Sequence, residues 1–298
     1  MIDHRRFLTI SAACGVGAVM PRAAIARSQS PAGGAVLKPL VPPAQGRIPV
    51  AFVLSDNAVM IDFAGPWEVF QDVRLPGQRQ GAFELFTVAE STAPVHASAG
   101  MQIVPDHTFQ NAPAPKVIII PAQRGNDAML DWIREKSKTA DVTASVCTGA
   151  FILAKTGLLA GKSVTTHHGA YAALAKQFPD VHVVRGARFV DEDHLASSGG
   201  LSSGIDLALH LVAGYYGTEA ALRTVDQMEY QGSGWTDPDA NRKYVEQQAF
   251  AAGTTVCPVC GMDADVATAP TSTYRARTYY FCSPAHKADF DAEPSKWA

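Results

Sequence analysis

The sequence predicts an α/β fold built on a mainly parallel sheet, with a second, smaller cysteine-rich unit behind it. Three observations lead there. Short, uniformly apolar runs of strand length alternate with helix-like segments from Ile48 to Tyr230, the pattern of strands covered on both faces. One of these runs ends on Cys147 and is followed at once by a helical stretch. Behind the body, Cys257, Cys260, Cys282 and His286 occur in two close pairs about 20 residues apart.

Taken in order, Ile48 to Leu54 (I-P-V-A-F-V-L) reads as a buried parallel strand. Asp62 and Phe63 lead into a helix expected to begin near Gly65-Pro66, because proline suits a first turn. Phe83 to Ala89 alternates as a strand does, and Met101 to Val104 is a shorter candidate. Lys116 to Pro121 is a second buried-strand run, and Asn126 to Lys138 has helical periodicity. Val142 to Val146 is the strand that delivers Cys147; Thr148, Gly149 and Ala150 open the helix that runs to Lys155. After a glycine-marked turn, Ser163 to Thr166 reads as strand and His168 to Phe178 as helix. Val181 to Val184, Arg188 to Val190 and His194 to Ser197 are short strands, Gly204 to Tyr216 a strongly apolar helix and Thr218 to Tyr230 an amphipathic one. Gln231 to Ala252 is polar and reads as a linker with one short helix.

Composition excludes some functions. At 298 residues the chain can bury a real core, and 47% hydrophobic with 18% charged residues is ordinary for a globular protein. A formal net charge of -3 gives no reason to expect a nucleic-acid partner. The first 26 residues read as an export signal: Arg5-Arg6-Phe7-Leu8 resembles a twin-arginine start, a small apolar run follows, and Ala24-Ile25-Ala26 offers a cleavage site. A Sec signal or an uncleaved anchor is the alternative. The apolar run is short for a spanning helix, so no stable membrane insertion is expected after cleavage, and the location implied is periplasmic or secreted. Residues 27–47, rich in Pro, Gly and Ala, read as a tether.

Cys147 is the centre of the functional reading. A turn from strand to helix lifts a side chain clear of the sheet, and a helix N-terminus offers free N–H groups and partial positive charge. Both favour thiolate, the reactive form. A buried structural cysteine is the competing reading.

Four ordered motifs then carry a resemblance: D-F-A-G-P-W-E-V-F from Asp62, S-V-C-T-G-A-F-I-L-A-K-T-G-L-L-A-G from Ser145, T-T-H-H from Thr165, and S-G-G-L-S-S-G-I-D-L-A-L-H-L-V from Ser198. Together they resemble the ThiJ/PfpI superfamily, of the class I glutamine amidotransferase-like fold, over residues 48–231. The chain looks most like the branch holding isonitrile hydratases and the sensor domains of AraC-type regulators; no helix-turn-helix pattern follows here. The resemblance implies a flavodoxin-like sandwich, a homodimer, a small-molecule substrate and Cys147 as nucleophile. It implies Asp62 as the acid beside the cysteine, Thr148 as a donor of hydroxyl or N–H, and His167 as base or orienter. Asp62 has a second reading as a helix N-cap. His168 stands where the branch usually has Trp, and Glu68 reads mainly as helix surface. Where relatives often carry P-G-G, this chain has Pro121-Ala122-Gln123-Arg124-Gly125. Ala122 and Gln123 still offer N–H groups for an oxyanion, and Arg124 is placed to face an anionic substrate. No cofactor is expected in this domain.

In the tail, C-x-x-C and C-x-x-x-H spacing suits one tetrahedral ion held by Cys257, Cys260, Cys282 and His286. A disulfide among the cysteines is the alternative, as an exported protein allows. The motifs C-P-V-C-G-M, Y-Y-F-C-S and the closing Phe290…Pro294-Ser295-Lys296-Trp297 resemble the YHS domain over residues 254–298, after a linker at 232–253. That implies a small α+β metal-binding unit for zinc or copper. Met262 is a further thioether donor for copper, or turn packing. Tyr274, Tyr279, Tyr280, Phe281 and Phe290 are its expected core, and acidic neighbours such as Asp289 and Glu293 oppose a nucleic-acid role.

Overall fold

The computed structural model describes residues 39–77, 80–244, 253–259 and 263–297. The export-signal reading, Cys260 and Met262 lie outside the described residues. The strands are β1 (Ile48–Val53), β2 (Phe83–Ala89), β3 (Val95–His96), β4 (Gln102–Ile103), β5 (His107–Thr108), β6 (Val117–Ile120) and β7 (Val142–Val146). After them come β8 (Ser163–Val164), β9 (His182–Val183), β10 (Phe189–Glu192) and β11 (Leu195–Ser198). Helices of the body are α1 (Met60–Asp72), α2 (Asp127–Ser137), α3 (Gly149–Lys155), α4 (Tyr171–Gln177), α5 (Ser203–Tyr216) and α6 (Thr218–Gln227).

Seven strands form one sheet in the order β10-β11-β7-β6-β1-β2-β5. Every pair in it is parallel except β10 with β11. The apolar runs of β1, β6 and β7 are buried because helices cover both faces. Period-two alternation divides them. Val50, Phe52, Ile119 and Ala144 pack with α1, α5 and α6 on one face, whereas Ala51, Val53, Ile118 and Ile120 pack with α2, α3 and α4 on the other. The fold is thus the expected α/β sandwich.

Several boundaries moved. The helix expected from Gly65 starts at Met60, one turn earlier, and takes Pro66 inside its first two turns. Asp62 is therefore within α1; the N-cap position belongs to Val59, which contributes no side-chain cap, so the N-cap reading of Asp62 is overturned. The weak strand near Met101 pairs only with β3, outside the main sheet. The polar segment after α6 is not a free tether over its described part: Trp235 is buried in the core against α5.

The tail contributes two hairpins, β12 (Thr254–Val256) with β13 (Asp263–Asp265) and β14 (Thr271–Tyr274) with β15 (Arg277–Tyr280). Helices α7 (Pro284–Ala292) and α8 (Pro294–Trp297) follow. Cys257, Val259, Phe281 and Phe290 form its small core, with Tyr274 and Tyr279 packed against them.

Candidate active site and cysteine–histidine cluster

Cys147 sits at the carboxyl end of β7, where a central parallel sheet places ligands. Its φ of 57° lies in the left-handed region, costly for a residue with a Cβ and a mark of a strained elbow. The local sequence permits it. A Cβ on Gly149 would lie 2.2 Å from the Ile120 carbonyl oxygen, so only glycine lets α3 start this close to β6. A hydrogen bond from the Cys147 N–H to the Gly199 carbonyl (3.1 Å) and one from the Thr166 hydroxyl to the Cys147 carbonyl (2.8 Å) fix the turn.

Four polar groups lie near enough to the sulfur to shift its ionisation: the Asp62 carboxyl, the N–H and the hydroxyl of Thr148, and the N–H of Leu201. Asp62 is fully buried. Its Oδ2 accepts from the Ala122 N–H at 3.0 Å, and its Oδ1 has no conventional hydrogen-bond partner among the described residues. Burial dominates and lifts this carboxyl to about 7, against the opposing pull of the Ala122 and Cys147 hydrogen bonds. Burial also pushes the Cys147 thiol up, and the neighbouring Asp62 carboxylate pushes it further. The expectation of a thiolate favoured by the helix N-terminus is corrected here: with the residue only 3% exposed, desolvation outweighs the N–H groups. At neutral pH the resting pair is a thiol beside a carboxyl poised near half-ionisation.

Three further residues lie otherwise than expected. The Ala122 N–H is committed to Asp62 and not free for an oxyanion. His167 is not among the groups the thiol meets; its Nδ1 accepts from the Gly169 N–H at 3.1 Å and its ring lies 4.3 Å from that of His168. Burial, then the neighbouring His168, pull His167 down to about 4, so it is neutral near pH 7. His168 stacks on Tyr244 at 4.6 Å. The Arg124 guanidinium, expected to face an anion, instead bonds Asp289 of the tail at 2.8 Å.

Sequence reasoning missed the Leu201 N–H and what holds it. Leu201 lies in the turn before α5. There Arg188 donates to the Ser202 hydroxyl (3.1 Å), to the buried Asp206 carboxylate (2.6 Å) and to Asn241 (3.3 Å), and its carbonyl accepts from the Gly199 N–H. Tyr230 donates to the same Asp206. Arg188 and Asp206 are 18 residues apart, and no local pattern announces the pair.

In the tail, Cys257 Sγ, Cys282 Sγ and one histidine nitrogen lie within 4.8 Å of one another. His286 Nδ1 is 3.8 Å from Cys257 and 3.1 Å from Cys282. Ser283 caps α7 by accepting the His286 N–H at 3.3 Å, which fixes the histidine one turn from Cys282. Burial pulls His286 down, but both cysteines outweigh it and hold the imidazole up at about 10. Two thiols and an imidazole at this separation fit a soft or borderline cation such as zinc or copper.

A central parallel sheet, a strained cysteine elbow and a buried acid beside it define a cysteine-elbow α/β protein. More particularly, residues 49–214 match the DJ-1/PfpI family model, and the chain belongs to that family. Over 187 residues it is 33% identical to isonitrile hydratase of Pseudomonas putida, covering 61% of this chain and 78% of the relative. It is 30% identical over 202 residues to the HTH-type transcriptional regulator GbdR of Pseudomonas aeruginosa, covering 65% of this chain but only 54% of the regulator. Among solved structures, a ThiJ/PfpI family protein from Pseudomonas syringae superposes with a TM-score of 0.56 at 26% identity, covering 63% of this chain and 77% of that one. DJ-1beta of Drosophila melanogaster shares the fold, with a TM-score of 0.53 at 18% identity over 62% of this chain and 98% of its own.

Proposed function

We propose that the body catalyses hydration of a small isonitrile to the N-formamide, with Cys147 as nucleophile and Asp62 as proton carrier. The observation that carries this is the Asp62 carboxyl, held near 7 and in contact with the Cys147 thiol. Such a group can take a proton and return it at neutral pH. The relative from Pseudomonas putida supports the choice of substrate.

The steps balance as follows. The Asp62 carboxylate accepts the thiol proton while sulfur forms a bond to the terminal isonitrile carbon. Asp62 returns that proton to the same carbon, leaving a thioimidate, R–N=CH–S–Cys147. Water adds to this carbon, one proton passes to nitrogen, the C–S bond breaks and sulfur regains a proton. The products are R–NH–CHO and the free thiol. The N–H groups of Thr148 and Leu201 and the Thr148 hydroxyl stabilise negative charge on sulfur in the first and last steps. Burial of the sulfur suits a substrate whose reactive end is slender and uncharged, and disfavours an anion.

The tail is read as a YHS-like metal-binding unit in which Cys257, Cys282 and His286, together with Cys260, hold zinc or copper. The three described donors support this. The ion would draw together a unit whose core, among the described residues, is a cluster of Cys257, Val259, Phe281 and Phe290. Export to the periplasm and a homodimer belong to the same reading. Exposed Ile61, beside Asp62, and exposed Leu201, whose N–H reaches Cys147, suit a second copy covering this edge of the site. The cysteine–histidine cluster also favours a second reading, a metal-handling protein without turnover.

The deciding experiment incubates the full chain with cyclohexyl isocyanide and follows the formyl proton by NMR. Formamide from the wild type and none from Cys147→Ser supports hydration. No formamide from the wild type overturns it and leaves the metal-handling reading.

A further inference from the structure

The tail does not stand apart from the elbow. A cleft of about 290 Å³ is lined by Arg124, Thr148 and Phe151 of the body and by Val259, His286 and Asp289 of the tail. Thr148 follows Cys147 directly in the chain, lines this cleft, and brings its N–H and hydroxyl near enough to the sulfur to favour its thiolate, so it borders both the cleft and the nucleophile. On the opposite wall is His286, part of the cysteine–histidine cluster. The seam is joined by the Arg124–Asp289 ion pair at 2.8 Å. Lys155 of the body and Glu293 of the tail line the same cleft and add a second set of opposite charges across it. Arg124 also lines a neighbouring cleft of about 440 Å³ bordered by Ser55, Glu90 and Asn126, so it stands where the two openings meet.

We infer that the C-terminal unit is the outer wall of the approach to Cys147 and selects by size what reaches the sulfur, with Arg124 and Asp289 as the pair that seats it. The inference builds on Cys147 as the reactive group of the proposed function. It is independent of the substrate's identity: a wall of this kind filters any electrophile, including reagents the protein never turns over. Val259 and His286 are then specificity-determining side chains supplied by the tail, and Thr148 is the inner boundary that the ligand passes.

The test labels full-length protein with iodoacetamide and, separately, with a bulky fluorescein iodoacetamide, and reads modification of the Cys147 peptide by mass spectrometry. Peptide-level readout keeps the tail cysteines from confusing the result. Asp289→Lys places like charges across the seam and is expected to raise bulky labelling of Cys147 at least about threefold, while iodoacetamide labelling changes little. The double variant Arg124→Glu with Asp289→Lys re-forms an opposite pair and is expected to return the bulky rate toward that of the wild type. Unchanged bulky labelling in Asp289→Lys, an equal rise with both reagents, or no recovery in the double variant overturns the inference. Because labelling requires no turnover, a protein inactive on isonitriles that still shows the size-selective rise refutes the hydratase reading and leaves the wall standing.

Discussion

The elbow and the tail each hold cysteine beside a titratable partner, and the two surroundings raise both partners for opposite reasons. At the elbow, burial is the largest influence on both groups: it lifts Asp62 to about 7 and keeps Cys147 as thiol despite two N–H groups aimed at the sulfur. In the tail, burial is again the largest single influence on His286, but two thiols a few ångströms away reverse it and hold the imidazole up. Desolvation prevails where only a few hydrogen bonds oppose it, as at Asp62, and loses where two cysteines add both hydrogen bonds and, when ionised, negative charge, as at His286. One arrangement places a titratable carboxyl beside a thiol; the other places two sulfurs and an imidazole nitrogen within 4.8 Å of one another.

The largest test of this contrast is Cys147→Ser, expected to lower turnover by at least about 10⁴-fold while leaving the metal content of the tail intact. Equal loss of both would merge the two centres into one. Next is Asp62→Asn, expected to lower turnover by about 10²–10⁴-fold. It also has a pH signature. A carboxyl lifted from near 4 to about 7 keeps a proton that the unfolded chain has lost, so the wild type loses stability as pH rises from about 4 to about 7. Asn removes that slope, and the variant is expected to gain roughly 2–4 kcal/mol over the wild type at pH 8, with little gain at pH 4. Melting curves at the two pH values check it; a gap that does not widen with pH breaks the account of burial.

Arg188→Met comes third. It leaves Asp206 buried without its cation and frees the turn that carries the Leu201 N–H, for an expected loss of about 3 kcal/mol in denaturant unfolding. Cys147 should also label more slowly at a given pH, since one group favouring its thiolate is no longer held. The smallest expected effect is Cys282→Ser. Titration with zinc should show binding weakened at least about tenfold, with turnover at Cys147 nearly unchanged. Unaltered zinc affinity would remove Cys282 from the ligand set and sharpen the line between the two centres from the other side.

Much of this was legible before any coordinates. The apolar runs of β1 and β6 have the length and uniformity of strands covered twice, and V-T-A-S-V of β7 keeps that length with small hydroxyl residues at Thr143 and Ser145. Cys147 was visible because a strand, a glycine and a helix succeed one another around it within a few residues. Asp62 is legible in the sequence but the start of its helix is not: Met60 and Ile61 are apolar and suit either a loop or a helix, and proline at position 66 suits a first turn. Arg188 with Asp206, and Arg124 with Asp289, went unseen because each links distant parts of the chain.

By itself the sequence determined the α/β body, the elbow with its cysteine, the acid in the D-F-A-G-P-W-E-V-F motif and the spacing of soft donors in the tail. These are local: they depend on periodicity, turn residues and spacing along a few dozen atoms of backbone. Tertiary structure alone decided the protonation of Cys147 and Asp62, the employment of the Ala122 N–H, and the seating of Asp289 on Arg124. Burial and long-range charge contacts depend on what the rest of the chain brings into the same few ångströms, and no short stretch carries that information.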